Sequence, residues 1–558
     1  MKEYDSEQRI KRGEYYTPDP VVSFIVRSVH ELIIKEFGLP LGLADYTTWG
    51  EMVAAGKAGA PQGYPPGSDN WKTIENTPFI TILDFSTGTG TFLKYVIKLI
   101  DETMKSHWQV LRKTKHEIKE LWNDYVDNHL LDKIFGFELK MAPYAICHMK
   151  LGLVLQETGY AFGSGKRLNV YLTNTLEQDF EKRLSGLPWL ANETVLANNA
   201  KLHPITIIMG NPPYSVSSSN KSGWIQNLIA DYKKDLNEKK LNLDDDYIKF
   251  IRYGEYLAQK SLHSILGIIT NNSFIDGVTH RQMRKHLLET FEEIYIMDLH
   301  GSAKKKETAP DGGLDQNVFD IMQGVSINIF IKKGDQKKNS MLGNINHHEL
   351  FGKRVIKYNT LSVNNIINIQ WLKIFCEDHL WYFIPKNFGY KEKYVKGFQV
   401  EKIFEKNCSG VQTDRDKLFI DDNVDDLENR IKLLLSKNYS KSFEIEYNIK
   451  DSSGYNLLRR ISNSTYNVLK INNINYRPFD IKKIYYDEKL ISRAGFDSNR
   501  HLLYENIGLI AKRGFEEEKS MPCFSTKYIS DRRGWSRPGM QGAEDRKSTR
   551  LNSSHRIR

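Results

Sequence analysis

Apolar positions along the chain follow two spacings, short β-branched runs and longer stretches of helical period, and their alternation predicts an α/β fold built on a parallel sheet. Residues 21–29 have helical spacing behind Thr17 and Pro18, which stand where an N-cap and a first-turn proline belong. Residues 79–83 read as a short strand that enters the turn Gly88-Thr89-Gly90 and then a helix. A charged helical stretch at 101–130, a strand at 134–139 and an apolar helix at 140–155 follow. Residues 171–176 read as the next strand end, and further strands are read at 205–210, 266–270, 291–299 and 325–331, with helices through 247–253 and 281–288. Residues 37–78 are rich in Gly and Pro, hold Trp49 and Trp71, and read as an irregular insertion; residues 215–222 read as a polar, mobile loop.

At 558 residues the chain exceeds one ordinary domain, and its 40% hydrophobic and 11% aromatic content can fill two or three cores. No uninterrupted apolar stretch reaches the length of a membrane span and the first residues hold no signal-type apolar segment, so a cytoplasmic location without a membrane partner is expected. Cys147, Cys376, Cys408 and Cys523 stand far apart with no CxxC pair, which argues against a disulfide framework and against a metal site. A net charge of +10 favours a polyanionic partner. Residues 545–555 resemble the translation of a sequencing-adapter oligonucleotide, and the tail 545–558 is expected to be non-native. That tail holds five Arg or Lys and one Asp, so without it the excess falls from +10 to +6.

Pro212 and Pro213 end the apolar run at 205–210, because neither supplies an amide hydrogen and both fix the backbone. Asn211-Pro212-Pro213-Tyr214 is therefore a rigid turn at the carboxyl end of a strand, the edge where open α/β sheets bind ligands. A side-chain amide, a proline-held carbonyl and an aromatic ring suit a flat heterocycle that bears an amino group. Asn211 Oδ1 and the Pro212 carbonyl can accept its two hydrogens while Tyr214 stacks on the ring. Such acceptance draws the nitrogen toward tetrahedral geometry and localises its lone pair, which makes the amine nucleophilic without a general base.

Two acids close strands. Asp84 suits a cationic ligand group, and Glu138 stands one strand-helix-strand unit after the glycine turn, where a ribose-binding acid is found. Leu93 holds the place of a third glycine, which disfavours a nicotinamide dinucleotide. Gly163-Ser164-Gly165-Lys166-Arg167 fails as a P-loop, since Arg167 replaces the Ser or Thr and the upstream glycine is misplaced. Residues 302–313 form a basic loop in which Lys304 and Lys305 suit phosphate contacts, against the plainer reading of a solvated loop.

In this order, these stretches resemble the S-adenosylmethionine-dependent amino-methyltransferases of DNA whose cofactor motifs precede Asn-Pro-Pro-Tyr. Gly13-Glu14-Tyr15-Tyr16-Thr17-Pro18 resembles the amino-terminal cofactor motif, and residues 84–93 the glycine-rich one, with Phe85 in place of the usual proline and Thr87 in place of the usual cysteine. The resemblance implies S-adenosylmethionine as cofactor, held by Tyr16, Thr17, Pro18, Asp84, Ser86, Gly88, Gly90, Glu138, Thr173 and Asn174. Thr173-Asn174 stands where the family usually has an Asp against the cofactor's adenine. The implied catalytic set is Asn211, Pro212, Pro213 and Tyr214, with Phe319 as a second aromatic against a flipped base.

The resemblance covers residues 8–335 and is closest in kind to the modification part of single-chain restriction-modification enzymes. It implies a Rossmann-like methyltransferase sheet with helices on both faces at 1–335, a linker at 336–365 and a mixed α+β target-recognition domain at 366–544. In that last domain Arg415 and Arg477 suit contacts with DNA, weighed against internal ion pairs. The implied reaction is methylation of the exocyclic amino group of adenine in a specific double-stranded DNA sequence. Competing readings are an RNA or protein-glutamine substrate, or an inactive recognition fragment. No helicase P-loop or nuclease cluster is legible, which places any such activity in a segment or partner outside these residues.

Overall fold

The β-branched runs pair into one sheet. Its strands are β1 (Ile82–Asp84), β2 (Ile134–Glu138), β3 (Asn169–Leu172), β4 (Ile207–Gly210), β5 (His263–Asn271), β6 (Glu293–Asp298), β7 (Val325–Lys333), β8 (Asn344–Glu349) and β9 (Leu372–Ile374), in the order β3-β2-β1-β4-β5-β7-β6-β8-β9. Neighbours from β3 to β5 run parallel, while β7 lies antiparallel between β5 and β6. The order reverses between β1 and β4, a switch point of the kind at whose carboxyl ends open α/β sheets bind ligands. This computed structural model describes residues 16–178, 188–214, 218–236, 243–334, 342–376, 379–398, 402–477, 479–511 and 523–533. Residues 13–15 of the amino-terminal motif, residues 215–217 and the tail 545–558 lie outside them.

Helices cover both faces of the sheet, as expected. On β5 a Cβ added at Gly267 would meet Ile25 and Val29 of the Asp19–Leu32 helix, whereas the preceding residue of the strand, Leu266, faces Gly254 of the Asp246–Ser261 helix. Strands buried on two sides read as unbroken apolar runs, and β4 and β5 are buried at every position. Among the described residues no helix is long and apolar enough to cross a membrane.

Two expectations about order need correcting. The stretch 37–78 contains two short capped helices, Trp49–Ala54 with a Thr48–Glu51 capping box and Asp69–Ile74 capped by Ser68, and their buried Trp49 and Trp71 tie it to the core. The expected linker at 336–365 instead supplies β8, paired with β6, and the Arg354–Val363 helix. The first unit accordingly runs to Lys386 rather than 335.

The second unit, Asn387–Arg558, has its own core and a four-stranded sheet of β10 (Ile420–Asp421), β12 (Asp480–Tyr485), β11 (Ile471–Arg477) and β15 (Ile529–Ser530), in that order. The Val424–Ser436 helix buries Leu427, Ile431 and Leu434 in that core, the i, i+4, i+7 spacing of an amphipathic helix. β13 (Gly508–Ala511) and β14 (Cys523–Thr526) make a separate antiparallel pair.

Candidate active site

The glycine turn is built by the carboxylate expected to hold a ribose. Glu138 at the end of β2 accepts from the Gly88 amide at 2.8 Å with Oε2 and from the Lys140 amide at 2.7 Å with Oε1. These two bonds tie the end of β2 to the glycine turn and to the chain that leads into the next helix. Gly90, at φ 77°, starts the Thr91–Val110 helix, and a Cβ there would lie 2.7 Å from Cys147 Sγ. At the end of β1, Asp84 is buried, accepts from the Ser86 amide at 3.2 Å with Oδ1, and has its carboxyl pushed up to about 8, first by burial and further by the nearby Glu138.

Asp84 Oδ2, Ser86 Oγ and Thr173 Oγ1 are buried side-chain oxygens with no hydrogen-bond partner among the described residues. An orphaned buried polar group costs on the order of 1–3 kcal/mol, and three of them lie on this one sheet edge. Asn174 sits beside them with its amide fixed: Oδ1 accepts from the Leu176 amide at 3.0 Å and Nδ2 donates to Asn220 Oδ1 at 2.9 Å. Asn220 is in turn bound by Asp246, and its carbonyl accepts from the fully buried Lys249 at 2.6 Å. The described part of the loop expected to be mobile is thus pinned to the Asp246–Ser261 helix.

Asn211 follows β4 with its amide oriented from both ends. Nδ2 donates to Thr17 Oγ1 at 3.0 Å, and Oδ1 accepts from the Tyr214 hydroxyl at 2.8 Å. Thr17 was expected to cap the amino-terminal helix; that helix starts at Asp19 behind Pro18 without a side-chain cap, and the Thr17 hydroxyl serves Asn211 instead. Tyr16 is exposed. Gly210, at φ 154°, brings the tetrapeptide against the glycine-rich motif: a Cβ would stand 2.7 Å from Ser86 Oγ and 2.8 Å from the Phe85 ring. The tetrapeptide and the orphaned oxygens therefore share one edge of the sheet. Sequence reasoning passed over Gly210, Asn220 and Asp246, whose roles depend on contacts far along the chain.

Tyr214 and Phe319 are both buried and meet edge to face, with ring centroids 6.4 Å apart and planes at 89°. As placed they touch each other, so a flat ring enters between them only when one swings aside. Of the residues expected to meet DNA, Lys304 is exposed, and Lys305 lies 3.9 Å from Asp276 and 4.0 Å from Glu307. Arg415 donates to the carbonyls of Asn448 at 2.6 Å and Lys450 at 3.0 Å. Arg477 pairs with Asp531 at 2.8 Å and stacks 3.9 Å above the Tyr476 ring. Arg477 thus makes an internal ion pair, the alternative weighed against DNA contact, whereas Arg415 binds backbone carbonyls.

Two family models match the chain: the Eco57I restriction-modification methylase over residues 132–304, and the Type ISP C-terminal specificity domain over residues 402–543. The chain carries a restriction-modification methylase domain and a Type ISP specificity domain. The methylase match spans Glu138, Thr173, Asn174 and the Asn211–Tyr214 turn, and the specificity match spans Arg415 and Arg477. A curated relative, the Type II methyltransferase M.BstVI of Geobacillus stearothermophilus, is 28% identical over 232 residues, 41% of this chain and 34% of that protein. In fold the chain is similar to DrdV in its DNA complex, with TM-score 0.60 and 21% identity over 95% of this chain and 49% of that one. It is similar also to the ATP-dependent Type ISP restriction-modification enzyme LlaBIII bound to DNA, with TM-score 0.59 and 22% identity over 93% of this chain and 33% of that one. The chain thus spans about half or less of the length of these relatives.

Proposed function

We propose that this chain transfers a methyl group from S-adenosylmethionine to the exocyclic amino group of an adenine extruded from a specific sequence of double-stranded DNA, as the modification and recognition part of a restriction-modification enzyme. The observation that carries the reading is the Asn211 amide, oriented by Thr17 and Tyr214 and set on the same sheet edge as the orphaned oxygens of Asp84, Ser86 and Thr173. Those residues suit the cofactor. Asp84 would take its cationic amine, Glu138 its ribose hydroxyls, and Thr173 and Asn174 its adenine; the bound cofactor supplies an electron-poor methyl on a sulfonium.

The protein's part is positioning. Extruding a paired base costs a few kcal/mol, and stacking against Tyr214 and Phe319 can return on the order of 1–3 kcal/mol per ring. As Tyr214 turns to meet the base, its hydroxyl leaves Asn211 Oδ1, and the adenine amine replaces it as the donor. Asn211 Oδ1 and the Pro212 carbonyl then hold both amine hydrogens and keep the lone pair pointed at the methyl carbon. Alignment of this kind supplies most of the rate in such a transfer. Lys304 and Lys305 suit the DNA backbone, while Arg415 and Arg477 shape the loops of the specificity unit.

Methyl transfer from tritiated S-adenosylmethionine, compared on duplex DNA, RNA and protein, tests the substrate class. Label on duplex DNA is expected, and label confined to RNA or protein would overturn the reading.

A further inference from the structure

Phe319 closes a segment whose backbone is gripped from a single helix. Four consecutive carbonyls accept side-chain donors of the Arg354–Val363 helix: Gln316 from Lys357 Nζ at 2.8 Å, Asn317 from Arg354 Nε at 2.6 Å, Val318 from the Tyr358 hydroxyl at 2.7 Å, and Phe319 from Arg354 Nη2 at 2.8 Å. Positions 354, 357 and 358 are i, i+3 and i+4, one face of a helix. On this helix Lys357 is buried along with the apolar Leu361, while Val355 and Ile356 are exposed. Lys357 is fully buried and paired with the equally buried Asp315 at 2.8 Å, and Asp315 also accepts from the amides of Gly301 at 2.6 Å and Gly352 at 2.7 Å.

The helix is fixed in turn. Arg27 Nη2 donates to the carbonyls of Leu361 at 2.7 Å and Asn364 at 2.8 Å, at its carboxyl end. Arg27 belongs to the Asp19–Leu32 helix, which begins two residues after Thr17, the partner of Asn211. Both the amide that would hold the amine and the aromatic that would face the base are therefore referenced to one helix.

We infer that the Arg354–Val363 helix is a buttress that holds Phe319 as the fixed wall of the base pocket, with Arg354, Lys357 and Tyr358 as positioning residues. This rests on the methyl-transfer reading above. Four pinned carbonyls hold the Phe319 backbone still, so the pocket opens on the Tyr214 side, the movement that vacates Asn211 Oδ1.

The test uses the full chain with Arg354→Gln and Tyr358→Phe combined, and Tyr358→Phe alone as the milder change, on a duplex whose methylated adenine is replaced by 2-aminopurine. Wild type should brighten on binding as the base leaves the stack. The double variant should lose most of that emission and about tenfold to a hundredfold in single-turnover methylation of the adenine duplex, while it stays folded at the assay temperature and cofactor affinity stays near wild type. Tyr358→Phe should fall between them. Wild-type emission and rate in the double variant would overturn the buttress, as would a loss matched by unfolding at the assay temperature or by a fall in cofactor affinity. A wild type that neither methylates the adenine duplex nor brightens would overturn the methyl-transfer reading itself.

Discussion

The Tyr214 hydroxyl donates to Asn211 Oδ1 at 2.8 Å, so the tetrapeptide holds a donor where the substrate amine is proposed to bind. Tyr214 then has two separable roles, a ring that stacks and a hydroxyl that occupies the acceptor. Tyr214→Phe keeps the ring and is expected to stay within about tenfold of wild-type methylation, whereas Tyr214→Ala should lose roughly tenfold to a hundredfold in kcat/KM, the scale of one stacking contact. Steady-state kinetics of the two variants decide it; equal losses would remove the stacking role.

The raised pKa of Asp84 gives cofactor binding a pH dependence. Burial pushes the carboxyl up to about 8, so at neutral pH it is largely protonated in the ligand-free protein. A cationic group bound beside it favours the ionised form and drives off a proton, so affinity for S-adenosylmethionine should rise as pH climbs from about 6 toward the range in which the cofactor's own amine loses its charge, about 7.7–8.0. Calorimetry in buffers of different ionisation enthalpy would register the released proton, and Asp84→Asn should flatten the profile. A pH-independent wild type would count against this role.

Gly210→Ala tests the close approach of the tetrapeptide to the glycine-rich motif. The added methyl would stand 2.7 Å from Ser86 Oγ and 2.8 Å from the ring of fully buried Phe85, at a φ that L side chains rarely adopt. Crowding of this kind typically costs about 1–3 kcal/mol. Denaturant unfolding should show that loss together with weaker cofactor binding, and unchanged stability would contradict the geometry.

In the second unit, Arg477→Ala should destabilise β11 and the strands around it, more at high pH than at low. Burial pushes the Asp531 carboxyl up to about 6, against the opposing pull of Arg477. With a folded pKa above the unfolded one, stability falls as pH climbs from the unfolded value through about 6. Without Arg477 the folded pKa climbs further and the decline extends to higher pH, toward a loss of roughly 1–3 kcal/mol. Hydrogen exchange of the β11 amides at two pH values would show it; equal protection in wild type and variant at the higher pH would not fit.

Much of the site was legible because its chemistry is local. Asn211 to Tyr214, the glycine turn and Glu138 each end a strand whose apolar run is unmistakable, so their placement on one sheet edge follows from the α/β pattern. β8 was not legible: Asn344-Ile345-Asn346-His347-His348-Glu349 is a polar sequence, yet Asn346 and His347 are buried and the Asn344 and Asn346 amides donate to Glu293. The Arg354–Val363 helix escaped notice for the same reason, since Lys357 is buried there and periodicity assigns a lysine to solvent. Thr17 looked like a helix cap, because a hydroxyl before Pro18 fits that pattern and its partner Asn211 lies 194 residues away.

The most direct test follows the methyl group to its atom. DNA incubated with the full chain and S-adenosylmethionine is digested to nucleosides, in parallel for wild type and Asn211→Ala. N6-methyladenine formed by the wild type and absent with Asn211→Ala, while that variant still binds the duplex, is the result predicted. Methylation of cytosine carbon, or N6-methyladenine still formed at the wild-type rate by Asn211→Ala, would contradict it.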